Sequence, residues 1–181
     1  VPPIATQRLA RAADTEQIAA LMRASVLALF PRFYDERQTA SAARYIARLD
    51  PALIEDGTYF VHEPAPGEIV ACGGWSRRGK LHAGADDAPG DERLLDPRTE
   101  PARVRAMFVR ADWTRRGLGR AILASCEQAA RTEGFSRLAL MATLPGEQLY
   151  RAFGFEQTAR PTLTLPDGVQ VEGVAMERPL A

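Results

Sequence analysis

Two periodicities alternate along the chain. Ile18, Leu21, Met22, Val26 and Leu29, with Ser25 among them, recur at helical spacing and give one apolar face. Asp14 with Gln17 three residues on makes a capping box for that helix, and Pro31 ends it. Arg8 to Ala13 reads as a short strand before it, and a second helix is expected from about Thr39 to Leu49, burying Ala43, Tyr45, Ile46 and Leu49. The pattern then turns to strands: Thr58 to Glu63, a Pro64, Pro66 and Gly67 turn, and Glu68 to Ser76 form an antiparallel hairpin. Gly73 and Gly74 inside its second strand forgo side-chain packing, which points to a bulge or a close approach.

From Gly79 to about Pro101 the periodicity stops. A stretch this long is either a substrate lid or a disordered insertion. Val104 to Val109 resumes as a central strand, and Asp112, Trp113 and Thr114 turn the chain into a helix. That helix faces inward with Leu118, Ile122, Cys126, Ala129 and Ala130 and ends at Gly134. A strand from Arg137 to Met141 and a short helix around Gly146 to Ala152 follow. A closing hairpin runs from Phe155 to Leu165 and from Val169 to Met176 across a Pro166, Asp167, Gly168 turn. The whole reads as one α/β domain in the broad sense, α+β included.

Composition narrows the class without naming it. The 181 residues suffice for one well-filled core but would cramp two. With 46% apolar and 25% charged residues, and no run of roughly 20 apolar residues, the chain reads as a soluble globular protein with no membrane partner. Lys plus Arg equals Asp plus Glu at 23 each, which argues against nucleic acid as a partner. Cys72 and Cys126 sit in apolar patterns without CxxC spacing, and the N-terminus lacks a secretory signature, so a reduced cytoplasmic protein is expected. Two histidines and two cysteines are scattered, so no metal site is expected.

The chemistry concentrates at Arg115, Arg116, Gly117, Leu118, Gly119 and Arg120. These residues open a helix, where the first amide N–H groups lack intrahelical partners and the helix dipole presents positive charge. Glycines let an anion's oxygens approach the main chain, and each arginine adds about 0.3 to 1 kcal/mol if solvent-screened. This is a phosphate site whose owner is open. The dinucleotide fingerprint needs a third glycine where Ile122 stands, and the P-loop spacing is absent.

The segment VRAMFVRADWTRRGLGRAIL, followed by LYRAFGF at Leu149 to Phe155, resembles the acyl-coenzyme A site of the GNAT superfamily of N-acetyltransferases. The resemblance extends along nearly the whole chain and implies a mixed, mostly antiparallel, centrally splayed sheet flanked by helices. It implies that acetyl-CoA is the co-substrate, with the family's Gln/Arg-x-x-Gly-x-Gly/Ala pattern falling on Thr114, Gly117 and Gly119 and cradling the pyrophosphate. Thr114 departs from the pattern, which removes one long side chain but no backbone donor. The resemblance also implies that Met107, Phe108 and Val109 offer main-chain groups to the pantetheine arm, and that Tyr150 stands near the thioester sulfur as the acid.

An unperturbed tyrosine titrates near 10 and a thiol near 8.5, so full proton transfer is uphill by roughly 2 kcal/mol, and donation of a hydrogen bond is the better picture. Glu100, just upstream of an acid-free strand, is the candidate base. Tyr34, Asp35 and Glu36 either line a substrate pocket or form a solvated turn. Trp75 either meets a ligand or packs in the core. His62 and His82 are read as structural, and Cys126 as buried rather than an acyl carrier. The expected activity is direct transfer of an acetyl group to a primary amine of a small molecule or peptide. The alternatives are a coenzyme-binding module without catalysis and a partner-binding regulatory domain, and a homodimer is left open.

Overall fold

The computed structural model describes residues 4–80 and 92–180. The strands are β1 (Thr6–Leu9), β2 (Tyr59–Glu63), β3 (Ala71–Ser76), β4 (Ala102–Val109), β5 (Arg137–Thr143), β6 (Glu156–Ala159), β7 (Thr162–Thr164) and β8 (Gln170–Pro179). The helices are α1 (Thr15–Leu29), α2 (Glu36–Tyr45), α3 (Pro51–Glu55), α4 (Leu118–Thr132) and α5 (Glu147–Phe153). The strands form one mixed sheet in the order β1-β2-β3-β4-β5-β8-β6, with β7 on β8. All its pairings are antiparallel except β4 with β5.

Alternation along the strands builds two cores. Ala71, Trp75, Val104 and Leu138 point to the face covered by α4 and α5, where they pack with Ile122, Leu123 and Cys126. Tyr59, Val61 and Cys72 point to the opposite face and pack with Ile18, Leu21, Met22 of α1 and Leu53 of α3. A third cluster joins Val26, Phe30, Tyr34, Ala42 and Ala43 to Leu165 and Val171 of the closing hairpin.

Several boundaries differ from the sequence reading, each for a local reason. The first strand lies earlier and ends at Leu9. Asp14 does not cap α1 with Gln17, because its carboxylate accepts from the Arg11 amide and the Arg8 guanidinium instead. α2 starts earlier than expected because Asp35 and Gln38 form a reciprocal capping box. α3 was not anticipated; Asp50 caps it and Pro51 supplies its first residue. The strand expected from Phe155 to Leu165 is two strands, divided at Arg160 and Pro161. Of the aperiodic stretch, residues 81–91, His82 among them, lie outside the described residues, while Leu95 beyond them is buried in the α4-side core.

Candidate active site

The site begins where the sheet fails to close. β4 and β5 pair only at Ala102 with Leu138 and Arg103 with Ala139, after which no register continues between them. β4 also carries an extra residue against β3, since the register runs from Gly74–Arg105 to Cys72–Phe108. Ala106 absorbs it with φ of 53°, a left-handed conformation rare for a residue with a Cβ. The buried Tyr59 hydroxyl donates to the Ala106 carbonyl at 2.6 Å and holds the bulge. Glycine is needed opposite at Gly74, where a Cβ would collide with the Thr58 carbonyl oxygen, while one on Gly73 would lie 2.7 Å from the sulfur of the flexible Met107 side chain.

The opening is a cleft of about 590 Å³ that runs through the sheet between its two helical layers. Met107, Phe108 and Val109 form its β4 edge, and Ser25 Oγ donates to the Val109 carbonyl at 2.8 Å. At its α4 mouth lie Thr114, Arg115, Gly117, Leu118, Gly119 and Arg120. Arg115 (φ 61°) and Gly117 (φ 80°) turn the chain into α4, whose first helical bond runs from Ala121 N–H to Gly117 C=O at 3.0 Å. The amides ahead of Ala121 are therefore left over by the helix and available to an anion. A Cβ on Gly119 would lie 2.7 Å from Leu149 Cδ2, so the absent side chain leaves room for the Leu149 side chain of α5 against α4.

Arg115 and Arg120 form no ion pair with a carboxylate among the described residues, whereas Arg116 lies in electrostatic range of Asp112, whose carboxyl it helps hold down. Arg116 stacks over Trp113 at 4.3 Å and Arg120 over Phe153 at 5.6 Å, which orders both guanidinium groups without consuming their charge. Arg116 does not itself line the cleft.

Tyr150 stands inside the gap. Its ring packs edge-on to Phe155 at 5.9 Å, and it lines the cleft while remaining only 8% exposed. Two other buried tyrosines engage their hydroxyls: Tyr59 at the bulge, and Tyr34 by donating to the Glu172 carbonyl at 2.6 Å and accepting from the Leu144 amide at 2.9 Å. The Tyr150 hydroxyl has no hydrogen-bond partner among the described residues. Burial, with Cys126 behind it, drives its pKa well above the ordinary tyrosine value, so it holds its proton throughout the neutral range.

Other residues singled out from sequence stand elsewhere. Glu100 does not line the cleft: it precedes β4 at the end opposite Met107, where β4 is still paired with β5. There it pairs with Arg93 at 2.7 Å and accepts from the Asp96 amide, and these contacts hold its pKa down to about 2. A carboxylate so strongly stabilised is a poor proton acceptor as well as a distant one. Of the two readings of Trp75, the structure places it in the core, fully buried against Phe135 at 6.0 Å on the α4 side. Asp35 and Glu36 belong to the cap and first turn of α2, and Tyr34 is a buried cross-link rather than a cleft wall. Cys72 and Cys126 are fully buried, and burial pushes the Cys72 thiol up to about 12. His62 bonds to Gln7 at 2.9 Å beneath the β1 edge. Conversely, the cleft is walled by residues with no distinguishing mark in sequence: Leu29, Phe30, Ile46, Thr143, Gln148 and Leu163.

The acetyltransferase (GNAT) family model matches residues 22–155, and the chain belongs to this family. Among solved structures, a GCN5-related N-acetyltransferase from Rhodopseudomonas palustris superposes with a TM-score of 0.73 at 19% identity, covering 99% of this chain and 98% of that one. The PaiA N-acetyltransferase of Thermoplasma acidophilum, in complex with coenzyme A, gives 0.66 at 13% identity, covering 97% and 98%. YncA, an acetyltransferase of Salmonella typhimurium with its cofactor acetyl-CoA, gives 0.61 at 18% identity, covering 98% and 94%. These likenesses establish the splayed fold. No curated protein matches the sequence significantly. No helix among the described residues is long and apolar enough to cross a membrane.

Proposed function

We propose that the protein transfers an acetyl group from acetyl-CoA to a primary amine by direct attack within a ternary complex. The observation that carries this is the cleft itself, which joins an amide-and-arginine cradle to the free hydroxyl of Tyr150 through the β4–β5 gap. The residues present fit the coenzyme: glycines that admit oxygens to the main chain, Arg115 and Arg120 for its phosphates, and the opened β4 edge for an extended amide-bearing arm. Neighbours of the same fold hold coenzyme A or acetyl-CoA. Acetyl-CoA, when bound, supplies the acyl group as a thioester with a good leaving group.

The chain's own work is positional and electrostatic. Amides ahead of Ala121, with Arg115 and Arg120, bind and orient the phosphates. Met107 to Val109 direct the arm into the gap. Tyr150, kept neutral by burial, donates a hydrogen bond to the negative charge that develops on sulfur, in a site where little water competes. The test is release of free thiol from acetyl-CoA over a panel of amines, run beside calorimetry of coenzyme binding. Amine-dependent release is expected. Tight coenzyme binding without turnover of any amine would replace this reading with that of a binding module.

A further inference from the structure

The cleft has two mouths, and the second is unlike the first. On the α1–α2 side it is walled by Leu29, Phe30, Ile46, Phe108 and Leu163. The titratable side chains lining the whole cleft are Arg115 and Arg120, at the coenzyme mouth, and Tyr150. No Asp, Glu, His or Lys lines it among the described residues. Carboxylates on the surrounding elements are turned to other duties. Glu147 pairs with Arg151 and Arg160, Glu172 pairs with Arg160, and Asp167 accepts from Ser41. Asp35 caps α2, and Glu36 is exposed on its first turn.

That side is also bridged over. Besides the Tyr34 contacts to Glu172 and Leu144, Gln38 Nε2 donates to the Gln170 carbonyl at 2.9 Å and Ser41 Oγ to Asp167 at 2.8 Å. These bonds tie α2 to the β7–β8 hairpin above a shared apolar cluster of Phe30, Tyr34, Leu165 and Val171. This bridge stands against a polypeptide running through the cleft, and the apolar wall would leave the amides of an entering chain end without partners.

Resting on the acetyl-transfer reading, we infer that the acceptor is a small amine of low basicity on an uncharged apolar body, taken up as the free base. An ammonium group entering this cleft would meet no carboxylate among the described lining residues, so its desolvation goes uncompensated there. A base to remove its proton is likewise missing among the described lining residues. An amine near pKa 10.4 is neutral in less than about one part in a thousand at pH 7, whereas a weakly basic one arrives ready to react. In the step, the nitrogen lone pair forms the C–N bond as the C–S bond breaks. Nitrogen loses one proton and the departing thiolate gains one, so amine and acetyl-CoA give amide and free thiol.

The experiment compares 4-methylaniline, 2-phenylethylamine, spermidine and a tripeptide with an apolar N-terminal residue, each with acetyl-CoA over pH 6 to 9. The expected kcat/KM is flat with pH for 4-methylaniline and rises about tenfold per unit for 2-phenylethylamine, as its free base does. Spermidine and the tripeptide are expected at least roughly 100-fold below both at pH 7. Spermidine or the tripeptide outpacing both small amines would overturn the inference while leaving acetyl transfer standing. Failure of every amine despite bound acetyl-CoA would bring down the acetyl-transfer reading itself. The variant Ile46→Asp, which puts a carboxylate on the wall, is expected to raise spermidine relative to 4-methylaniline by at least about tenfold; an unchanged ratio would refute the role given to that wall.

Discussion

The two ends of the cleft are made from different materials. The coenzyme mouth is main chain: amides, two left-handed residues at 115 and 117, and a glycine whose missing Cβ leaves room for Leu149. The α1–α2 mouth is side chain: five apolar residues drawn from α1, the turn after it, the end of α2, β4 and β7. A main-chain site tolerates change in its neighbours because every residue type supplies an N–H, provided the backbone angles survive. A side-chain wall is redefined by any substitution in it. The first arrangement suits a constant ligand such as a coenzyme, and the second suits an acceptor that differs between relatives of one fold.

The contrast is broken most forcefully at Gly117. Its Cβ position is open, with nothing within 4 Å, so a side chain there meets only the cost of φ at 80°, about 1 to 2 kcal/mol. Gly117→Glu adds to that a carboxylate among the amides that should receive phosphate. Affinity for acetyl-CoA in calorimetry is expected to fall at least about 1,000-fold, roughly 4 kcal/mol, with the circular dichroism spectrum unchanged. Retained affinity would displace the anion site from this turn. Next in size is Tyr150→Phe, which keeps the ring against Phe155 and removes one hydroxyl. We expect kcat to drop about 100-fold with the KM for acetyl-CoA nearly constant. Equal losses in coenzyme affinity would make Tyr150 a binding residue instead.

The same contrast explains what could be read from sequence. The coenzyme mouth is contiguous: strand, turn, glycines and helix lie within Ala102 to Thr132, so its residues announce one another by spacing. Tyr150 was legible because the LYRAFGF segment travels with that pattern. The other mouth is assembled from residues spread between positions 29 and 163, and Leu29, Ile46 and Leu163 look like any core residue until the fold brings them together. Trp75, Tyr34 and Glu100 could not be placed from sequence, since a conspicuous side chain says little about which way it faces. Glu100 sits next to the right strand but at its wrong end. Gly73 and Gly74 were informative because a Cβ there would collide with Met107 and Thr58, whatever the ligand.

Tyr34 tests the bridge beside the α1–α2 mouth. Tyr34→Phe leaves the Leu144 amide without its partner and the Glu172 carbonyl without its donor, at a stability cost of about 1 to 3 kcal/mol in denaturant unfolding. A loosened bridge is expected to raise the acceptor KM severalfold while the KM for acetyl-CoA stays within about twofold. If both constants move together, the bridge supports the whole cleft rather than one mouth.

The smallest effect belongs to Glu100, and its sign is informative. Its carboxyl titrates near 4.5 when unpaired and near 2 in the fold, held down by the Arg93 guanidinium and the Asp96 amide. A depressed carboxylate stabilises the folded state above pH 4.5, and that contribution is lost as the pH falls from there through about 2. Glu100→Gln should therefore lower Tm slightly at pH 7, and the difference from the parent should vanish near pH 2. Because the residue lies at the end of β4 remote from the gap, kcat/KM between pH 6 and 9 is expected to be unaltered. A shifted pH profile of activity would restore Glu100 to the chemistry and undo the separation between the two ends of β4 on which the site depends.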